Sequence, residues 1–177
     1  MPSTPPSVDD VLAALAEQFG DLPSSVFRGQ TRVVVPESAS HEVLSFLKER
    51  GFDLLVDISC VDYLDYRESP MEMAACAGHR YGLVYLLAST ATNQRLTIRV
   101  FVDDPEPTVR SVVSLWKAAN WLEREVWDLF GIRFAGHPDL RRLVMPEEFT
   151  AHPLRKDYPL QGRGERHNFP VITRHES

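Results

Sequence analysis

Thiols are scarce in this chain. Of its 177 residues only two are cysteines, Cys60 and Cys76, and they form no CxxC pair. Iron–sulfur clusters are commonly held by four thiolates, so this chain alone is not expected to hold one. Low cysteine usage also suits a reducing compartment. No run approaches the ~18 apolar residues of a membrane-spanning helix. The opening Met1-Pro2-Ser3-Thr4-Pro5-Pro6 lacks the basic region and apolar run of a secretory signal. Positive charge is in deficit, with a formal net charge of −6. Phosphate-driven nucleic-acid binding needs the opposite balance. Internal repeats are absent, and so is low-complexity sequence beyond the Pro/Ser-rich start.

What remains is an ordinary globular composition, enough for one domain with its own core. Residues 123–177 carry nine basic and nine acidic side chains, so the whole acidic excess lies in residues 1–122. The first part reads as a solvated body. The balanced part reads as a surface that meets its charge partners at close quarters.

Ser7, with Asp10 three residues on, predicts a capped helix carrying Val11, Leu12, Leu15 and Phe19, ended by Gly20. Val26-Phe27-Arg28 and Arg32 to Val35 read as short strands around Gly29-Gln30. A second helix, from Ser38 or Ser40 to Gly51, presents Val43, Leu44, Phe46 and Leu47. Three strands follow. Phe52, Leu54, Val56, Ile58 and Cys60 alternate, with Leu55 and Val61 breaking the pattern. Tyr81–Ala88 is apolar on both faces and predicts a central strand. Leu96, Ile98, Val100 and Val102 alternate with Arg95, Thr97, Arg99 and Phe101. Residues 64–80 read as a loop or loose hairpin extension.

Beyond Pro105-Glu106-Pro107, Thr108 is expected to cap a short helix with Val112, Val113, Leu115 and Trp116 on its apolar side. Asn120 is expected to cap another, with Leu122, Val126, Leu129 and Phe130 on one face and Gly131 at its end. The order predicts an α+β fold: a mostly antiparallel sheet with helices packed on it, spanning residues 1–136. Residues 137–177 differ. Prolines at 138, 146, 153, 159 and 170 forbid regular elements, yet apolar anchors recur from Leu140 to Ile172. This predicts an extended Pro-rich arm that wraps a partner.

The most specific run is Glu123-Arg124-Glu125-Val126-Trp127-Asp128-Leu129-Phe130-Gly131-Ile132. Gly136-His137-Pro138-Asp139-Leu140-Arg141-Arg142-Leu143, Met145-Pro146-Glu147 and His152-Pro153-Leu154-Arg155-Lys156-Asp157-Tyr158-Pro159 follow. From about residue 120 to 160 this closely resembles the signature of the C-type subunit family of NADH-quinone oxidoreductase, respiratory complex I. Departures are mild: Trp127 stands where Tyr is more usual, Ala151 where Gly is common and Phe149 where Trp is frequent.

The resemblance implies a peripheral-arm subunit of a proton-translocating enzyme, with no independent activity and no redox cofactor of its own. FMN, iron–sulfur clusters and quinone would belong to partner subunits. The partners implied are above all the D-type homologue, which resembles a nickel-hydrogenase large subunit, and the B-type homologue, which holds the last iron–sulfur cluster. Membrane association would come through the complex, on the cytoplasmic side of a bacterial plasma membrane. The signature side chains Glu123, Arg124, Glu125, Trp127, Asp128, His137, Asp139, Arg141, Arg142, Met145, Pro146, His152, Arg155, Lys156, Asp157 and Tyr158 are then expected at partner interfaces. Replacing Arg141 and Arg142 together by alanine is expected to spare the fold and impair assembly.

Sharper readings of the same residues carry less weight. His137, Asp139, His152 and Asp157 could be drawn as the metal site of a hydrolase, but nothing has HExxH spacing or a cysteine set. Glu123, Glu125 and Asp128 could be an acid/base group. The simpler reading is helix-dipole charge and partner salt bridges, exposed or at an interface. Arg141-Arg142 and Arg155-Lys156 read as carboxylate partners rather than phosphate binders. Arg163 and Arg166 carry a weak anionic-lipid reading. Cys60 reads as a buried small hydrophobe, Trp116 and Trp121 as core residues, and Trp127 as an interface anchor. Related membrane-bound hydrogenases and other quinone-linked dehydrogenases keep the fold and change the complex. An adaptor with no redox role is a further class.

Overall fold

Inward-facing apolar alternation builds a five-stranded sheet in the computed structural model, which describes residues 7–64 and 78–164. Its strands are β1 (Ser24–Phe27), β2 (Gln30–Val35), β3 (Leu54–Asp62), β4 (Tyr81–Ala88) and β5 (Arg95–Val102), in the order β1-β2-β5-β4-β3. All neighbours are antiparallel except β2 and β5, which run parallel. β4 lies between β5 and β3, one strand in from the edge, and β5 takes the central place expected of β4. Along β4, Tyr81, Leu83, Tyr85 and Leu87 are buried, while Val84, Leu86 and Ala88 on the other face are only half-buried. Helices α1 (Val8–Phe19) and α2 (Ser40–Glu49) bury Val11, Leu15, Val43, Leu44 and Leu47 in the same core as Val33, Ile98, Leu83, Tyr85 and Ile58. The Ser7–Asp10 capping box forms as expected. The fold is therefore the α+β architecture expected from the pattern.

In β3 the alternation fails for a local reason. A bulge between Leu55 and Asp57 gives the strand one extra residue. It brings Leu55 and Ile58 to the core side and leaves Leu54 and Val56 45% and 48% exposed. The expected inward placement of Leu54 and Val56 is thus corrected.

A second correction concerns Thr108, which starts a strand and caps no helix. β6 (Thr108–Arg110) pairs in parallel with β7 (Arg133–Ala135), and residues 111–118 cross between them in turns before α3 (Ala119–Phe130). Val112 and Trp116 are still buried. The N-cap of α3 is Ala118, without a side-chain cap, so Asn120 does not cap it. Trp121 is 61% exposed and is no core residue. Cys76, Arg166 and the apolar anchors from Phe169 onward lie outside the described residues, as does most of the expected loop at 64–80.

Candidate functional site

Helix α3 places its charges by ordinary helical geometry. Arg124 and Asp128 lie four residues apart and share one face. Against that face runs the backbone of residues 141–145. Arg124 donates from Nε and Nη2 to the carbonyls of Arg141 and Arg142, at 3.2 and 3.1 Å. One turn on, Asp128 Oδ2 accepts the backbone N–H groups of Leu143, Val144 and Met145 at 3.0, 2.7 and 2.8 Å. Its Oδ1 takes the Arg142 guanidinium at 2.6 Å. Burial opposes ionisation of Asp128. The three N–H groups and Arg142 outweigh it and hold the carboxyl below its usual range.

The C-terminal end of α3 shows the same economy. The last four carbonyls of a helix lack intrahelical donors, and here all four find one. Gly131 N–H serves Trp127 O at 2.8 Å, and His152 Nδ1 donates to Asp128 O at 2.9 Å. Leu154 N–H reaches Leu129 O at 3.1 Å, and Arg155 Nε reaches Phe130 O at 2.6 Å. Three of the four donors belong to residues 152–155, so the segment is the helix cap. The signature spacing is therefore a grip on backbone. Further along, Lys156 N–H and Arg80 both bind buried Asp62 at the end of β3, and Arg80 also pairs with Asp157 at 2.9 Å.

Glu123 faces the other way. It is fully buried, and its carboxylate receives Ser111 Oγ and Val112 N–H, both at 2.7 Å. This side chain holds the 111–118 crossing in place. The expectation that Glu123 and Asp128 lie exposed or at an interface is overturned, since both are 0% exposed within the chain itself. Arg124 is buried too, whereas Glu125 is exposed.

Burial is the largest influence on the Glu123 carboxyl and pushes it up to about 7, against the pull of its two hydrogen bonds. Between the ordinary value of 4.5 and about 7 the folded chain keeps a proton that the unfolded chain has lost. Stability tied to this group therefore falls as pH rises through that interval. Glu123→Gln keeps an acceptor for Val112 and a donor for Ser111 and removes the titration. Urea denaturation across pH 4.5 to 7 is expected to show the native chain losing on the order of 2–3 kcal/mol more than the variant. Parallel curves would refute the assignment.

The histidines are hydrogen-bonding residues of opposite tautomer. His137 Nδ1 accepts from Asp139 N–H at 3.0 Å, so its Nε2–H donates to Asn120 O at 3.1 Å. Neither nitrogen is left for a metal. His152 carries its proton on Nδ1, and burial, its largest influence, lowers its pKa. Among the described residues no group of three or more His, Cys, Asp or Glu side chains converges in metal-binding geometry.

Arg142 and Arg141 separate. Arg142 is spent within the chain on Asp128 and on Ala151 O, and its guanidinium lies 5.7 Å from the ring centres of Trp127 and Phe149. Arg141 is exposed and pairs locally with Asp139 at 2.9 Å. Their double replacement would therefore loosen residues 141–145 as well as change the surface. Trp127 is partly buried, edge-on to His152. Tyr158 packs edge-on to Phe149, and the Pro146 carbonyl accepts Phe149 N–H at 3.0 Å. Asp62, Arg80 and Ser111 escaped sequence reasoning. Asp62 left one signal, an acid in the inward phase of β3 after Ile58 and Cys60.

Known proteins share this architecture. Residues 33–164 match the family model described as "Respiratory-chain NADH dehydrogenase, 30 Kd subunit". A curated relative from Acidithiobacillus ferrooxidans, named as the C-type subunit of NADH-quinone oxidoreductase, is 53% identical over 115 residues, 65% of this chain. The match spans only about half of that relative, 54% of its length. A namesake from Hydrogenovibrio crunogenus is 38% identical over 90% of this chain and 83% of its own. Among solved structures, a trypsin-resistant fragment of Nqo5 has a TM-score of 0.66 at 35% identity, covering 75% of this chain and 98% of the fragment. A chain of an archaeal membrane-bound sulfane sulfur reductase shares the fold, with a TM-score of 0.71 at 21% identity over 96% of this chain and 95% of its own. On the extent of the family match and the identity of these relatives, this chain belongs to the family of the 30 kDa subunit of respiratory-chain NADH dehydrogenase, the C-type subunit family of NADH-quinone oxidoreductase.

Proposed function

We propose that this chain is a structural subunit of the peripheral arm of a proton-translocating NADH:quinone oxidoreductase, and that it carries no redox centre. It scaffolds the quinone-reducing module by contact with the D-type and B-type homologues. FMN, the iron–sulfur clusters and the quinone site belong to partners. The complex brings the chain to the cytoplasmic face of a bacterial plasma membrane.

One observation carries this reading. Glu123, Arg124 and Asp128 of α3 are buried and spend their hydrogen-bonding groups inside the chain, where they hold residues 111–112 and 141–145 in place, and so they shape a surface instead of performing chemistry. Around the same segment, Trp121, Val144, Leu154 and Leu160 stay exposed. Apolar side chains held outward on a rigid frame suit a permanent interface, and obligate interfaces bury about 2,000 Å² or more. Cys60 supports the same view: burial, above all, pushes its thiol up to about 12, far from the thiolate that a cluster requires.

The test is purification through a tag on this chain, from its host's membranes in mild detergent, with assays of size, flavin, iron and NADH:quinone activity. A large flavin- and iron-containing particle that oxidises NADH is expected. A large iron-containing particle without NADH activity would assign the chain to a hydrogenase-type or other quinone-linked complex. A lone protein would overturn the scaffold reading.

A further inference from the structure

Among the described residues, a groove lies where the β6–β7 ribbon, the end of α3 and residue 155 meet. It has a volume of about 450 Å³ and is lined by Thr108, Trp127, Gly131, Arg133, Leu140 and Arg155, among others. That volume falls within the range, about 300–1,000 Å³, over which protein pockets receive ligands.

Its lining has a definite character. Arg133 sits on β7 opposite Thr108 of β6 and is exposed. Its backbone N–H is bound to Pro107 O at 2.8 Å, which fixes where its side chain starts. Arg155 is anchored through Nε to Phe130 O, and its guanidinium carbon lies 5.4 Å from the Tyr81 ring centre. The lining thus holds two guanidiniums, of Arg133 and Arg155, and one carboxylate, that of Glu106, in a chain whose net charge is −6. Trp127 and Leu140 add apolar wall beside them. Gly131 keeps the floor low, since a side chain there would meet Arg155 Nη2 at 2.5 Å.

We propose that this groove receives an acidic peptide segment of a partner subunit. A carboxylate of that segment meets the guanidiniums of Arg133 and Arg155, and a neighbouring apolar side chain packs on Trp127 and Leu140. The proposal rests on the scaffold reading above and adds to it the place and the chemistry of one contact. Arginine forks match carboxylates in two-point geometry. A long polyanion such as nucleic acid is disfavoured by the chain's net charge of −6.

The test uses the assembled complex. Thr108 is replaced by the photo-reactive residue p-benzoylphenylalanine, the complex is purified through the tag and irradiated, and the cross-linked peptide is mapped by mass spectrometry. A single segment of another subunit is expected, with Asp or Glu within a few residues of the cross-link. Arg133→Glu added to the same chain is expected to cut the cross-link yield about tenfold, the scale of one charged hydrogen bond, and Arg133→Lys to retain most of it. A complex recovered with no cross-link, with a cross-link to a basic segment or to nucleic acid, or with a yield indifferent to Arg133→Glu overturns the groove proposal alone. A tagged native chain that recovers no complex overturns the scaffold reading beneath it.

Discussion

Asp128→Ala is expected to free residues 141–145 from α3 and to lower the unfolding free energy by about 3–5 kcal/mol, the scale for breaking a buried ion pair from one side. The loss has two sources. Three consecutive backbone N–H groups lose their acceptor, and the Arg142 guanidinium is left partly buried without its carboxylate. Each buried donor without a partner carries its desolvation cost. Asp128→Asn should fall between the two chains, because its Oδ1 can still accept while its amide N–H groups confront other donors. Urea denaturation measures the loss, and limited proteolysis locates it at residues 141–145. The carboxyl is held below its usual range, so its contribution is complete above the unfolded value of about 3.9. It disappears as pH falls through the lower folded value. The alanine variant should therefore lose less stability on acidification than the native chain. A variant within about 0.5 kcal/mol of the native chain, the range of neutral surface changes, would refute the role given to Asp128.

Gly131→Val is the second large effect. Gly131 closes α3 with φ at 77°, a region that costs a β-carbon roughly 1–2 kcal/mol. It also lies under the segment that caps the helix: a Cβ there would come to 2.5 Å from Arg155 Nη2 and to 2.6 and 2.7 Å from the His152 ring. His152 is tied to the Asp128 carbonyl, and Arg155 to the Phe130 carbonyl through Nε, which moves with Nη2 in one planar guanidinium. Relieving the clash means pulling away donors that satisfy Asp128 O and Phe130 O. With about 1 kcal/mol per lost hydrogen bond, the expected total is about 3–4 kcal/mol. At the usual scale for 150–250 residues that is a fall in Tm of roughly 6–16 °C. Hydrogen exchange gives the local readout, since the Leu154 amide, bonded to Leu129 O, should lose protection. An unchanged Tm with Leu154 still protected would show that the cap is not built as described.

Regular spacing carried the elements in the sequence. Ser7 with Asp10, the alternation of Leu96 to Val102, the apolar run of Tyr81–Ala88 and the glycine at 131 determined helices, strands and a stop, because each is a local preference of a few residues. The run from Glu123 to Tyr158 determined the family. Tertiary structure alone decided what the charges do. Periodicity assigns a charged residue to solvent by default, since an unpaired charge is costly to bury. Glu123, Arg124 and Asp128 are buried because their partners come from residues 11 to 18 positions away. Asp62 is buried because Lys156 meets it across 94. The bulge that turns Leu54 and Val56 outward is likewise a property of pairing with β4. Sequence spacing records which side a residue takes on its own element, whereas burial of a charge depends on which donors the rest of the chain brings opposite it.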